Sequence, residues 1–300
     1  MGCALLVALA ALAGCGSSDG DSAAGPAVVV TTSQAADLVR NVAGERADVT
    51  QILAANADPH EYEPRPSDAE ALANADLIVR SGGDVDEWLG QLVESSGSDA
   101  PELTLADHVH LIRGDGGEDP HWWQDPRNAV AAVTAIRDEL DAIDPAGATG
   151  YDTRARRYSA SLERLDREIA ACVGRVPAAK RKLVTSHDAL GYYARRYGIR
   201  VIGAVIPALT TAAQPSAGDV AKLVDTIEKT GVRTLFAESS VNPKVEQAIA
   251  RQTGARIGPP LWADALGPKG SSGATYLGSI AFNTRALADG FTSGAVKCSI

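Results

Sequence analysis

The sequence lacks a cationic excess. Its 28 lysines and arginines stand against 38 aspartates and glutamates, a net charge of −10 over 300 residues. That balance argues against nucleic acid as a partner and leans only weakly towards cations. Any long apolar run is also missing: the stretch at residues 5–12 is too short to span a bilayer as a helix. No H-E-x-x-H pattern is present, so the helical signature of zinc peptidases is missing. Cysteine is scarce at four residues, and histidine at five. What remains is ordinary for a folded chain. With 45% hydrophobic and 22% charged residues it has material for a sizeable core, and its length suits about two domains.

The first twenty or so residues are a different material. The short apolar run ends in Leu12-Ala13-Gly14-Cys15 and passes into Gly16-Ser17-Ser18-Asp19-Gly20-Asp21-Ser22, which has linker composition. Such a run fits the central region of a secretion signal. Leu-Ala-Gly-Cys resembles a bacterial lipobox, whose cysteine is lipidated and becomes the mature N-terminus; two or more acyl chains anchor stably. No Lys or Arg precedes the run, which departs from that pattern. A plain signal peptide or a buried N-terminal helix are the alternatives. A leader at 1–14 and a linker at 15–26 are therefore expected. With Cys3 in the leader and Cys15 acylated, Cys172 and Cys298 are left over. In an oxidising compartment they are a candidate disulfide, provided their Cα atoms approach.

Beyond the linker, strand and helix patterns alternate. Strands are expected at 27–32, 48–53 and 76–80, with shorter candidates at 103–105 and 109–112. Ser67-Asp68-Ala69-Glu70 has the form of a capping box, and the Gly/Asp segment 113–117 reads as a flexible loop. A helix at 128–143 precedes an unusually long one at 149–173, where Tyr158, Leu162, Leu165, Ile169 and Cys172 recur at helical spacing. An exposed coiled coil is the alternative for that segment. The second half repeats the alternation, with strands at 182–185, 201–206, 234–238 and 256–257. The fold class expected is α/β: two similar lobes, each a mainly parallel sheet flanked by helices. The lobes fall at 27–144 and 178–300, joined by one backbone helix at 145–177.

Three histidines sit in punctuated places. His60 lies in Asp58-Pro59-His60-Glu61-Tyr62-Glu63-Pro64, a loop fixed at both ends by proline. His121 lies in Asp119-Pro120-His121-Trp122-Trp123-Gln124-Asp125-Pro126, where Asp125 is a good N-cap and Pro126 suits the first helical position. His187 follows the strand at 182–185, and Glu238 and Asp264 also follow expected strands. Ligands in open α/β sheets bind beyond the carboxyl ends of strands, and domain interfaces are preferred sites. A cleft between the lobes would bring these residues face to face. Scattered histidines are more often surface or satisfied core residues, so spacing alone leaves both readings open.

Taken together, these stretches are similar to the metal-binding solute-binding lipoproteins of ABC importers, the zinc/manganese family with two α/β lobes on a rigid backbone helix. The likeness extends over nearly everything after the leader. It includes Thr185-Ser186-His187-Asp188-Ala189, Gln214-Pro215-Ser216, Phe236-Ala237-Glu238 and Ala263-Asp264-Ala265-Leu266-Gly267. The resemblance implies four metal ligands, His60, His121, His187 and Asp264. Glu63 and Glu238 are candidate supporting carboxylates, and Glu238 either orients a histidine or binds the ion when Asp264 is absent. It implies a monomer that delivers its ion to a membrane permease with a cytoplasmic ATPase, from a lipid anchor on the extracytoplasmic side. Manganese-preferring relatives typically carry a carboxylate at the position of His187. Three imidazoles and one carboxylate suit Zn²⁺ better than Mn²⁺, which prefers more oxygen. Many zinc members carry a long His- and acid-rich loop. Here only His108 and His110 stand in that interval, either to pass metal on or as an exposed polar loop. The resemblance implies no enzyme; the first alternative is a protein of the same transporter class that binds manganese or another divalent metal. Behind it stand a secreted zinc hydrolase and a surface adhesin, cell adhesion being a family-level role.

Overall fold

The computed structural model describes residues 25–114 and 117–300. The leader, Cys15 and most of the linker lie outside the described residues. The first lobe is built on a parallel sheet of four strands. These are β1 (Ala27–Val30), β2 (Asp48–Gln51), β3 (Leu77–Arg80) and β4 (Glu102–Thr104), in the order β2-β1-β3-β4. Val28 faces Val49 on one side and Leu77 on the other. Helices α1 (Ser33–Ala43), α2 (Pro66–Ala73) and α3 (Leu89–Ser96) make the crossovers that parallel strands require. The cap of α2 falls earlier than the sequence suggests. Pro66 takes the first helical position, and the Asp68 carboxylate accepts the Arg65 backbone N–H at 2.7 Å, leaving Ser67 inside the helix.

Residues 109–112, expected as a strand, form none. The Ile112 N–H is taken by the Tyr192 hydroxyl at 2.9 Å, a partner from the second half of the chain. The glycine-rich segment after it is pinched into a hairpin of β5 (Arg113–Gly114) and β6 (Gly117–Glu118), with Arg113 Nε donating to Glu118 Oε1 at 2.9 Å.

Two helices then carry the chain between lobes. The first, α4 (Pro126–Ile143), packs along α5 (Ala148–Gly174), whose 27 residues span about 40 Å at 1.5 Å each. Tyr158, Leu162, Leu165, Ile169 and Cys172 are all buried, because α1, α4 and α9 (Tyr276–Thr292) pack against this helix. It is a core element, not an exposed coiled coil. Asp37 ties three of these helices together: its Oδ2 accepts the Tyr158 hydroxyl and the Tyr276 N–H, each at 3.1 Å.

The second lobe follows the same wiring with shorter strands. The pair β7 (Lys182–His187) and β8 (Arg200–Ile206) is parallel, as is the pair β9 (Thr234–Leu235) and β10 (Arg256–Ile257). A bridge between Thr185 and Phe236 joins them into the order β8-β7-β9-β10, the counterpart of β2-β1-β3-β4. Helices α6 (Gly191–Tyr197), α7 (Ala217–Thr230) and α8 (Lys244–Thr253) flank it. At α7 the capping box is present, with Ser216 Oγ accepting the Asp219 N–H at 3.1 Å. At the end of α5, the Cys172 and Cys298 sulfurs are in bonding contact with Cα atoms 5.6 Å apart.

Candidate metal centre

His60, His121, His187 and Asp264 converge between the lobes, each offering one ligand atom within 4.8 Å of the others. His187 Nε2 lies 3.3 Å from His121 Nε2 and 3.1 Å from Asp264 Oδ2. His60 Nε2 lies 3.4 Å from Asp264 Oδ2, and His121 Nε2 lies 3.5 Å from Asp264 Oδ1. Metal bonds of about 2.0–2.1 Å in a tetrahedron give ligand-to-ligand edges of about 3.4 Å. The four separations of 3.1–3.5 Å are of that size, within a cluster whose ligand atoms all lie inside 4.8 Å.

Local sequence explains how each side chain is aimed. Asp58 caps a short turn by accepting the His60 N–H at 3.0 Å, while its other oxygen accepts the Thr211 hydroxyl from the opposite lobe at 2.7 Å. Asp119 uses one oxygen to take both the backbone N–H of His121 at 2.9 Å and its Nδ1 at 2.8 Å. The turn that follows is braced by the end of β3. Trp122 Nε1 donates to the Ser81 carbonyl at 3.2 Å, and Gly83, at φ +69°, allows Pro120 to approach. A Cβ at Gly83 would lie 2.7 Å from Pro120 Cβ, closer than real side chains tolerate. Asp125 then caps α4 by accepting the Arg127 N–H at 3.0 Å.

His187 is the last residue of β7, inside the strand rather than in the loop beyond it. Glu238 repeats the arrangement of Asp119, accepting the His187 N–H at 2.9 Å and Nδ1 at 2.8 Å with one oxygen. A carboxylate on Nδ1 fixes the tautomer and leaves the Nε2 lone pair for the centre.

The electrostatics suit a cation. His60 Nε2 and both oxygens of Asp264 are buried and without a hydrogen-bond partner. Such atoms are costly unless something pairs with them, and an ion bound by all three would satisfy them. Burial opposes charge on His187, but Glu238 and Asp264 outweigh it and hold the imidazole well above its usual range. Burial likewise opposes charge on Asp264, but His187 and His121 hold its carboxyl well below the usual carboxylate range.

Other expectations divide. Glu238 sits on His187, as a supporting carboxylate would. Glu63 does not support His60: it is exposed, because the extended chain after the turn directs it outward before Pro64. The carboxylate nearest His60 in this turn is Asp58, two residues before it, which meets the backbone N–H and not the ring. His108 and His110 are exposed and outside the cluster. Asp119 was missed as a supporting residue, although the sequence carried a signal. Asp58-Pro59-His60 and Asp119-Pro120-His121 are the same tripeptide, and in both the aspartate accepts the histidine N–H.

Comparison with known proteins agrees with this picture. Residues 28–290 match the family described as zinc-uptake complex component A, periplasmic (ZnuA). The chain is 33% identical to the manganese-binding lipoprotein MntA of Halalkalibacterium halodurans over 294 residues, covering 97% of this chain and 96% of that one. It is 31% identical to the manganese-binding lipoprotein MntA of Bacillus subtilis, covering 95% and 96%. Among solved structures, the periplasmic zinc-binding protein TroA of Treponema pallidum superposes with a TM-score of 0.84 at 28% identity, covering 89% of this chain and 99% of TroA.

Proposed function

The chain belongs to the zinc-uptake complex component A family, and from that premise we propose that it captures Zn²⁺ outside the cytoplasm and delivers it to an ABC importer. His60, His121, His187 and Asp264 are the ligands in this reading. The observation that carries it is the convergence of these four side chains around buried, unpartnered acceptors on His60 and Asp264. Four protein ligands close a tetrahedral site, whereas catalytic zinc keeps a position open for water. Capture therefore fits better than hydrolysis. The partners are a membrane permease and its cytoplasmic ATPase. The lipid anchor is at Cys15, the lobes fall at 27–144 and 178–300, and the connector at 145–177. Among the described residues no helix is long and apolar enough to cross a membrane, and a lipid at Cys15 supplies the attachment instead.

Zinc is favoured by the donor set. Three imidazoles and a carboxylate are a borderline group, matched to Zn²⁺. Manganese is the second reading, and two observations favour it. The relatives from Halalkalibacterium halodurans and Bacillus subtilis are both named for manganese. Both Asp264 oxygens also face imidazoles at 3.1–3.5 Å, so the carboxylate has the capacity to donate twice and raise the oxygen count. Elemental analysis of the soluble domain, purified without added metal, separates them. One zinc per chain, with preference moved towards manganese by His187→Glu, is the expected result. Manganese in the unmutated protein would overturn the zinc assignment.

A further inference from the structure

Asp264 belongs to the second lobe by sequence, yet its loop is bonded to the first. The Ala263 carbonyl accepts N–H groups from Gln124 at 2.8 Å, Trp123 at 2.9 Å and Gln34 at 3.3 Å. Gln34 comes from the first turn of α1, and the other two lie two and three residues after His121. Leu266 is gripped from both sides: its N–H donates to Ser33 Oγ and its carbonyl accepts the Asn56 N–H, each at 2.8 Å.

Among the described residues, backbone hydrogen bonds to the second lobe stop on either side of this segment, although the Asp264 side chain meets His187 Nε2 at 3.1 Å. Trp262 exchanges two hydrogen bonds with the Asn283 side chain, at 2.9 and 2.7 Å, and the Gly267 N–H donates to the Gly273 carbonyl at 2.8 Å. Between them, residues 263–266 are buried, so a bond broken there without replacement strands a polar group. His187 is held differently: strand β7 and Glu238, both from the second lobe, fix it.

We infer that Asp264 moves with the first lobe. His60, His121 and Asp264 form a half-site that persists when the lobes part, and His187, with Glu238 behind it, is the group that leaves the ion. Trp123 and Gln124 thus serve two ligands from one turn: they extend the loop that aims His121 and hold the backbone that presents Asp264. Affinity of the opened site is set by the grip on Ala263, not by the ligands alone. This rests on the metal-capture reading.

A double-mutant cycle on the whole soluble chain tests it, with Co²⁺ as a coloured probe and chelator competition to read affinity. The variants are His187→Ala, the pair Gln34→Leu with Gln124→Leu, and their combination. With His187 present, the closed site holds Asp264 in place, and the glutamine substitutions cost little. With His187 gone, the preformed half-site is all that remains, and the same substitutions cost about tenfold more. Costs that simply add would overturn the inference. Trp123→Phe, which removes one of the donors, gives the same direction with a smaller size and serves if the glutamine pair fails to fold. A wild-type chain that takes up neither Co²⁺ nor Zn²⁺ would instead sink the capture reading, and the half-site with it.

Discussion

One oxygen of Glu238 receives His187 twice, from the backbone N–H at 2.9 Å and from ring Nδ1 at 2.8 Å. Strand position and ring orientation are thereby fixed by a single atom. Removing such a carboxylate typically weakens metal binding by about 10–100-fold. Glu238→Ala is expected to fall in that range, and Glu238→Gln, which keeps an acceptor, to lose less. Zinc affinity measured by chelator competition checks both; unchanged affinity in the alanine variant would mean that β7 alone orients the ring.

The two aspartates of the repeated tripeptide predict different phenotypes. Asp119 touches the ring of His121, so Asp119→Ala lowers equilibrium affinity by about the same factor as loss of Glu238. Asp58 meets only the His60 backbone and reaches across to Thr211. Its loss frees an interlobe bond, so Asp58→Ala accelerates zinc release by a few-fold in stopped-flow chelation. Thr211→Val reproduces the acceleration, since it removes the other half of the same bond.

Protons compete with the metal at His187. Glu238 and Asp264 raise this imidazole well above its ordinary value of 6.5. In the metal-free chain the charged ring stabilises the site fully below about pH 6.5, and that contribution is lost as pH rises through the raised value. Bound metal takes the place of the proton, so affinity climbs with pH over this same window and binding releases a proton. Titration calorimetry in two buffers of different ionisation enthalpy counts the protons. No release near neutral pH would contradict the prediction.

The contact between Cys172 and Cys298 closes a loop across 126 positions of sequence. A bond there stabilises the chain by about 2–4 kcal/mol. Cys298→Ser is expected to lower the melting temperature with little effect on zinc affinity, because the bond lies at the end of α5, away from the metal centre. Thiol titration of the unfolded wild-type chain, with and without reductant, establishes the bond directly.

Much of the architecture could be read from side-chain periodicity. The apolar stripe of α5 was visible because each of Tyr158, Leu162, Leu165, Ile169 and Cys172 faces the same core. His60, His121 and His187 stood out through the prolines and strand ends beside them. Other features depended on partners far along the chain. Ile112 leaves the strand pattern because Tyr192 claims its N–H. The attachment of Ala263 to Gln34 crosses 229 positions, and no local spacing records it. Glu63, three residues after His60, is exposed on extended chain, a direction that closeness in sequence does not set.

The two sheets share one strand order, yet the halves donate to the metal from unlike places. His60 follows β2, whereas the corresponding region after β8 contributes Thr211, which meets Asp58 instead of the ion. His187 ends β7, while its counterpart β1 ends in Val30. The wiring therefore does not dictate the coordination chemistry. Ligands mounted at strand ends and in loops are exchangeable without redrawing either sheet, so one scaffold can be retuned for different ions by single replacements.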